Sequence, residues 1–298
     1  MCGIVGIFLK DKELESKLGA FLTQMLSTMS DRGPDSAGYA IYGRPKKHKK
    51  KITVQSSSPK KDFSSLAKNL QDSFNEDAHI RCSYTHAVIS SKEDNCTKLK
   101  KWLSEVYPNL RILSTGNSLE IYKEIGTAAA ISNMFDIASK SGTHAIGHTR
   151  MATESFVTTL GAHPFSTADD QCLVHNGSLS NHNTLRRQLS TYGVHCETEN
   201  DSEVAEAYLS QKLGSGANLG EALQQALQDL DGFYTFLIGT KSGIGLLRDP
   251  IACKPAVVAE NESYVAIGSE YKAFVGLPDL DKATIWEPEP ATVYLWEH

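Results

Sequence analysis

The chain has 298 residues, of which 40% are hydrophobic, and its formal net charge at pH 7 is −5. This length suits one large domain or two small ones, and the acidic balance gives no general attraction to nucleic acid or to an anionic membrane. No apolar stretch approaches the roughly 20 residues that a membrane-spanning helix needs. We therefore expect no membrane and no nucleic acid among its partners. We also expect no signal peptide, because acidic residues interrupt the first segment at positions 11, 13 and 15.

Cysteine usage is typical of a reducing compartment. The six cysteines are scattered and contain no CxxC pair, which argues against a structural zinc site. We expect a cytoplasmic protein with no metal site and no cofactor. The cysteines that follow Cys2 are predicted to be buried free thiols, and they are Cys82, Cys96, Cys172, Cys196 and Cys253.

The first elements are indicated by apolar spacing. Residues 3–8 form an apolar, β-branched run that predicts a buried strand, and the spacing over about 12–29 predicts an amphipathic helix. Residues 30–36 have the composition of a loop, and a strand follows at about 37–43. Residues 44–51 (RPKKHKKK) are strongly basic. We interpret this run as a solvated hairpin tip, with contact to phosphate or RNA as the alternative.

The remaining chain predicts alternating helices and strands in a single domain, 1–298, with an insertion at about 44–140. Residues 144–150 indicate a strand that ends in Arg150, and residues 172–177 a strand that ends in a tight turn. Helices are predicted after Asn181 and after Asn200 or Asp201, which would cap them, and a third over about 219–230. The last part is mainly strands, at 233–240, 243–248, 255–259, 264–268 and 291–296.

Cys2 directly follows the initiator methionine. Removal of Met1 would leave a thiol and a free α-amine on one residue. An α-amine titrates near pH ~8, so at neutral pH it is able to take the proton of the thiol. Nucleophile and base would then need no third residue to bring them together. The structural alternative is a small apolar residue at a frayed end.

Three further polar positions stand where predicted strands end or helices begin. The donors of Arg150 suit a carboxylate. The amide of Asn176 and the N–H of Gly177 suit an oxyanion. Asp201 suits an ammonium group. Each also has a purely structural interpretation, as an ion pair, a common Asn-Gly turn and a helix cap respectively.

Together these positions resemble the class II glutamine amidotransferase domain, a member of the N-terminal nucleophile hydrolases. The matching motifs come in the family's order and cover most of the chain outside 44–140: CGIVG (2–6), RGPDSAG (32–38), GHTRMAT (147–153), AHPF (162–165), HNG (175–177) and ENDSE (199–203). The resemblance implies an α+β fold, a four-layer αββα sandwich.

The resemblance also implies roles. Cys2 would attack the side-chain amide of glutamine, with its own amine as base, and Asn176 with Gly177 would form the oxyanion hole. Arg150 would hold the α-carboxylate of glutamine and Asp201 its α-ammonium. Three more residues would belong to the substrate pocket or its closing loop: Thr153, His163 and Arg32. Met151 and Glu154 depart from the aromatic residue and the histidine of many sugar-linked relatives, so the pocket lining is expected to differ.

No synthase motif follows these elements, so the chain resembles stand-alone glutaminase subunits. It is most similar to those that accompany glutamate synthase-like proteins, such as N-methylglutamate synthase. The expected partner is a separate, FMN-containing synthase subunit. Two alternatives stay open at this stage. One is an N-terminal cysteine acylase acting on another amide, and the other is a non-catalytic subunit that senses glutamine.

Overall fold

The computed structural model of the chain describes residues 2–74, 79–152 and 156–298. The strands are β1 Gly3–Leu9, β2 Ser36–Tyr42, β3 Lys49–Gln55, β4 His79–Ser83, β5 His86–Lys92, β6 Arg111–Gly116, β7 Leu119–Ile125, β8 His144–Arg150, β9 Cys172–Leu179, β10 Gly232–Gly239, β11 Gly243–Arg248, β12 Val257–Glu260, β13 Tyr264–Gly268, β14 Thr284–Trp286 and β15 Val293–Glu297. The helices are α1 Leu18–Ser27, α2 Pro59–Phe74, α3 Cys96–Val106, α4 Ala128–Phe135, α5 His182–Thr191, α6 Asp201–Gly214 and α7 Leu219–Asp229.

Two antiparallel sheets form the centre of the molecule. A seven-stranded sheet has the order β14-β12-β13-β1-β8-β2-β7, and a four-stranded sheet has the order β15-β11-β10-β9. One apolar core fills the space between these sheets. A second core packs α1 and α4 on the outer face of the larger sheet, and a third packs α5, α6 and α7 on the outer face of the smaller one. The predicted four-layer αββα sandwich is therefore confirmed.

β1 lies in the interior of this sandwich, between β13 and β8. All seven of its residues are buried. Ile4 and Phe8 pack into the core between the sheets, whereas Val5 and Ile7 belong to the core under α1. A strand that is covered on both faces needs a continuous apolar run, which residues 3–9 supply. This burial fixes the strand that directly follows Cys2.

A further four-stranded sheet, β4-β5-β3-β6, lies outside the sandwich. It has its own apolar core with α2 and α3. The predicted insertion at about 44–140 contributes to both sheets. Strands β3 to β6 form the extra sheet, whereas β7 belongs to the seven-stranded sheet and pairs with β2 along its whole length. That the extra sheet is an insertion into the family's domain stays a prediction.

The structure corrects the interpretation of the basic run. Only residues 44–48 form an exposed loop, and the three lysines that follow begin β3. The Nζ of Lys50 lies 2.5 Å from a carboxylate oxygen of Asp169, and that of Lys51 lies 3.0 Å from Glu120. Carboxylates from neighbouring segments therefore hold these two lysines in place. Composition alone does not reveal such partners.

The cysteine prediction is wrong for three of the five thiols. Cys96 and Cys172 are buried, but Cys196 is only partly buried, and Cys82 and Cys253 are exposed. Cys82 lies on β4, an edge strand of the extra sheet, and Cys253 in the loop after β11. All six cysteines are free.

The predicted starts of α5, α6 and α7 agree with the structure to within a residue, and the capping differs in detail. The helix predicted over about 12–29 is shorter, because Lys12–Lys17 form a 3-10 helix and α1 begins only at Leu18. Asn181 precedes α5 but makes no side-chain cap bond. Its side chain instead joins Asp229 and Asp231 in the connection before β10. Asn200, not Asp201, caps α6 by accepting the N–H of Ser202. In the described ranges, no helix is long and apolar enough to cross a membrane.

Candidate active site

One cleft of about 850 Å³ collects most of the predicted site residues. β1 and β8 are antiparallel neighbours with Gly3 opposite Thr149, so the start of β1 lies beside the end of β8. Cys2 and Arg150 therefore enter the cleft from the seven-stranded sheet. β9 supplies Asn176 and Gly177 from the other sheet, and the start of α6 supplies Asp201.

The main chain around Cys2 is held from two directions. On one side, the Nε of Arg32 donates to the carbonyl oxygen of Cys2 at 3.0 Å. On the other, Ile4 and Ser269 exchange two hydrogen bonds of 3.0 Å each, from the N–H of Ile4 to the hydroxyl and from the N–H of Ser269 to the carbonyl oxygen. Arg32 also forms an ion pair with Glu270. Cys2 itself is partly buried and lines the cleft.

Asn176 and Gly177 have the features of an oxyanion site. The side chain of Asn176 is buried, with the residue 2% exposed, and among the described residues its Nδ2 has no hydrogen-bond acceptor. A buried amide donor without an acceptor is costly unless a ligand supplies one. Gly177 has a φ of +152°, and a Cβ there would lie 2.0 Å from the carbonyl oxygen of Phe233. This position therefore requires glycine.

The predicted turn at Asn176-Gly177 is wrong. β9 continues to Leu179 and pairs with β10, with Gly177 opposite Tyr234 and Leu179 opposite Gly232. An Asn-Gly pair is a strong local turn signal, but pairing with a neighbouring strand overrides it. As a result both residues lie inside a sheet, which makes the site more rigid than a turn would.

Two opposite charges line the cleft at different places. Arg150 is the last residue of β8 and is 8% exposed. Asp201 is the first residue of α6, and its Oδ2 accepts the N–H of Leu179 at 2.9 Å. This bond fixes one carboxylate oxygen to the end of β9. A guanidinium and a carboxylate in one cleft suit a zwitterionic amino acid, whose two charged groups each find an opposite charge.

Three buried histidines lie behind these residues. The rings of His148 and His163 stack with centroids 3.9 Å apart. His163 accepts the N–H of His175 on Nδ1 at 3.2 Å, and Nε2 of His148 lies 2.9 Å from the carbonyl oxygen of His175. Burial lowers the pKa of His148 to about 3 and also lowers the pKa values of His163 and His175. The three rings are therefore neutral at pH 7 and form a rigid, uncharged support.

Lys123 holds the loop that carries His163. Its Nζ donates to the carbonyl oxygens of Leu160, Ala162 and Pro164 at 3.2, 2.7 and 3.1 Å. Burial lowers the pKa of this lysine to about 7. The loop is thereby fastened to β7 next to the cleft, and its Gly161 and His163 contribute to the lining.

The structure brings Cys2, Arg150, His163, Asn176, Gly177 and Asp201 into one cleft. Arg32 contacts the main chain of Cys2 instead of lining this cleft. Thr153, and the departure at Glu154, lie outside the described residues. Within the described part of the chain, no group of three or more His, Cys, Asp or Glu side chains is arranged to hold a metal ion.

The sequence interpretation missed several lining residues. Lys254, in the loop after β11, places its Nζ 5.0 Å from the ring centroid of Phe233, and both line the cleft. No motif marked either of them. His175 also lines the cleft, and in the sequence it stands out only as the first residue of the HNG motif. Its Nδ1 lies 2.9 Å from the hydroxyl of Ser202.

The chain belongs to the class II glutamine amidotransferases. Residues 148–276 match the family model of the glutamine amidotransferase domain. Over 298 residues the chain is 57% identical to the glutamine amidotransferase-like protein GlxB of Rhizobium meliloti, with 100% of this chain and 99% of that protein covered. It is also 30% identical over 183 residues to the amidophosphoribosyltransferase of Methanocaldococcus jannaschii, which covers 60% of this chain and 38% of that protein.

Solved structures agree on the fold. The glutamine phosphoribosylpyrophosphate amidotransferase of B. subtilis superimposes on 99% of this chain with a TM-score of 0.62 and 20% sequence identity. This chain spans about half of that one, 47%. The likeness supports the N-terminal nucleophile hydrolase architecture that the layers define. The family match and the similar proteins, not this likeness of fold, identify the protein as an amidotransferase enzyme with glutamine as its amide donor.

Proposed function

We propose that this protein hydrolyses the side-chain amide of glutamine through a thioester on Cys2 and passes the ammonia to a separate synthase subunit. The observation that carries the proposal is the cleft itself. It combines the thiol of Cys2, a buried amide donor without an acceptor among the described residues, and two opposite charges. Each of these groups matches one part of glutamine or of its tetrahedral intermediate.

The proposed reaction has two stages. After removal of Met1, which lies outside the described residues, the α-amine takes the thiol proton and the sulfur attacks the amide carbon of glutamine. Asn176 and the N–H of Gly177 donate to the oxyanion that forms. The carbon–nitrogen bond then breaks, and the amine returns its proton to the leaving ammonia. Water attacks the thioester in the second stage and releases glutamate and the free thiol.

Arg150 and Asp201 would set the specificity for glutamine. Arg150 would bind the α-carboxylate and Asp201 the α-ammonium, and both charges are partly desolvated in the cleft. Gly161 lies beside the Arg150 guanidinium, and a Cβ there would come 3.4 Å from one of its terminal nitrogens. His163 also lines the cleft, and we propose that His163 and Thr153 take part in substrate binding. An acylase for an uncharged amide would have no use for this pair of opposite charges.

Exposed apolar side chains at the cleft support the proposal of a partner subunit. Three large apolar side chains that line it are exposed: Phe156 at 92%, Met151 at 46% and Phe233 at 39%. Apolar side chains grouped around a site are typical of an interaction surface. We propose that the partner is an FMN-containing, glutamate synthase-like subunit that receives ammonia directly. Direct transfer avoids protonation to ammonium, which is not a nucleophile.

The test is ammonia release from glutamine by the purified chain, with and without the copurified synthase. Cys2→Ala should abolish release, whereas Cys82→Ala should not, because Cys82 is an exposed thiol on the extra sheet. Near-normal activity of Cys2→Ala would contradict the nucleophile assignment. If the isolated chain turns over at full rate and does not associate with the synthase on gel filtration, the partner part of the proposal is wrong.

A further inference from the structure

A second cleft, of about 510 Å³, lies between the seven-stranded sheet and the extra sheet. The loop after β2 and the beginning of β3 form one wall, and β4, β5, β7, the β6–β7 connection and the segment after α4 contribute to the rest. Six cationic side chains line it against two carboxylates: Arg44, Lys46, Lys49, Lys51, Arg81 and Lys140 against Glu120 and Asp136. The lining therefore has an excess of positive charge, whereas the whole chain has a net charge of −5.

Some of these cations already have partners. Glu120 binds Lys51 at 3.0 Å and also forms an ion pair with Arg81, so one carboxylate serves two cations. Arg44 makes two hydrogen bonds, of 2.7 and 2.6 Å, with Glu15, which lies outside the cleft lining. The walls are therefore held in place by ion pairs that use up the nearest carboxylate of the lining.

Three lysines of the lining have no salt bridge within the described part of the chain: Lys46, Lys49 and Lys140. Lys140 is partly buried, and its Nζ lies 4.4 Å from the ring centroid of Tyr122. Burial lowers the pKa of Lys140, and the nearby charge of Arg81 lowers it further, while the charges of Glu120 and Asp136 act in the opposite direction. A desolvated cation among other cations is stabilised by an anion.

From this geometry we infer that the cleft binds a phosphorylated small molecule. The volume lies in the usual range for small-ligand pockets, about 300–1,000 Å³. Lysine ammonium groups bind phosphate as point charges, and a phosphate monoester carries close to two negative charges at pH 7. The lining also offers the hydroxyls of Ser90 and Ser141 and the amide of Asn117 as further polar groups.

A small ligand fits this site better than a nucleic acid. The cationic groups converge on a concave space between two sheets, whereas a duplex needs an extended basic face along which several phosphates are contacted. Lys47 belongs to the same basic run but does not line the cleft. Residues 44–51 therefore contain lysines that line the second cleft and lysines that do not, and binding in this cleft is a role beyond the one proposed for the Cys2 cleft.

The experiment is isothermal titration calorimetry of the full chain with tripolyphosphate as the probe. Saturable binding of one probe per chain is expected. The double variant Lys49→Gln, Lys140→Gln should weaken it about tenfold or more, because each lost charge-assisted hydrogen bond costs that order of affinity. The matched control Lys47→Gln, Lys68→Gln removes the same net charge from exposed positions outside the cleft and should bind as the unmodified chain does.

Lys46→Gln is a second test variant, since it changes an exposed loop residue and leaves the packing intact. It should also weaken binding. Three results would overturn the proposal. The first is the absence of saturable binding, and the second is an equal loss of affinity in the test and control doubles. The third is tighter binding of a duplex RNA than of tripolyphosphate at the same salt concentration.

Discussion

The Nε of Arg32 donates a hydrogen bond of 3.0 Å to the main-chain carbonyl oxygen of Cys2. The same guanidinium forms an ion pair with Glu270, and the Arg32 side chain is only 11% exposed. Arg32 therefore links the start of β1 to the segment after β13. In our account it is a positioning residue, which holds the nucleophile through the main chain and does not contact the amino-acid substrate.

Arg32→Ala should lower kcat/KM for glutamine by about 10- to 100-fold, the order of one lost charge-assisted hydrogen bond of roughly 1.5–3 kcal/mol. The measurement is steady-state ammonia release. Lys272→Ala is the matched control, since Lys272 also pairs with Glu270, at 3.2 Å, but does not reach Cys2. An equal loss in both variants would mean that Glu270, not the Cys2 carbonyl contact, accounts for the effect.

Asp201→Asn separates charge from structure at the proposed ammonium site. The amide oxygen of asparagine retains the bond from the N–H of Leu179, while the negative charge is lost. Removing one member of a desolvated charge pair costs on the order of 2–5 kcal/mol, so kcat/KM should fall by roughly 30- to several-thousand-fold. The kcat/KM of Arg150→Ala should fall by a factor in the same range. Asp231→Asn, which changes an exposed carboxylate bonded to Ser180, should keep normal kinetics. Normal kcat/KM in Asp201→Asn would place the substrate elsewhere.

Asn176→Ala should act mainly on kcat. Loss of one oxyanion donor lowers kcat by about 100- to 1,000-fold, because the interaction strengthens only as the tetrahedral intermediate forms. Glutamine hydrolysis over a range of substrate concentrations separates the two constants. Asn181→Ala is a control, since this amide bonds the connection before β10 and not the cleft. A change in KM alone would contradict the oxyanion role of Asn176.

The buried histidines predict a loss of stability in acid. Burial lowers the pKa of His148 to about 3 from its ordinary 6.5. The unfolded chain therefore binds more protons between these values, so this contribution is complete above about pH 6.5 and is lost as pH falls towards about 3. One such histidine changes the free energy of unfolding by about 1 kcal/mol per pH unit.

The measurement is the urea midpoint of unfolding as a function of pH. The midpoint should fall steeply as the pH is lowered from neutral to about 5, and it should fall less in His148→Asn. His195→Asn, at an exposed position, should follow the unmodified chain. A flat profile would show that these rings are protonated in the fold.

The residues with local signals were predictable. Arg150 and Asp201 are predictable because one ends an apolar strand and the other begins a helix, and both boundaries are visible in the sequence. β1 was predicted because a strand buried on both faces is apolar throughout. Cys2 is predictable as a candidate nucleophile from its position directly after Met1. In these cases the local pattern and the tertiary structure agree.

Other features depend on distant partners. Lys123 is a single lysine in a strand, and its burial follows from carbonyl groups 37, 39 and 41 residues further along the chain. Lys254 enters the cleft from an irregular loop and belongs to no periodic pattern. Local chemistry predicts a turn at Gly177, whereas its pairing with Tyr234 keeps this residue inside β9. Tertiary contacts determine the positions of these three residues, and no local pattern in a single sequence predicts such contacts.

The most direct test of the central claim is covalent trapping of Cys2. The purified chain is treated with a glutamine analogue in which an electrophilic ketone replaces the side-chain amide, and intact mass and peptide mapping then locate the adduct. We predict one adduct per chain, on the thiol of Cys2 in protein that lacks Met1, and slower labelling in Arg150→Ala. Labelling of Cys82 or Cys253 in place of Cys2, or glutamine hydrolysis by protein that fully retains Met1, would contradict the account.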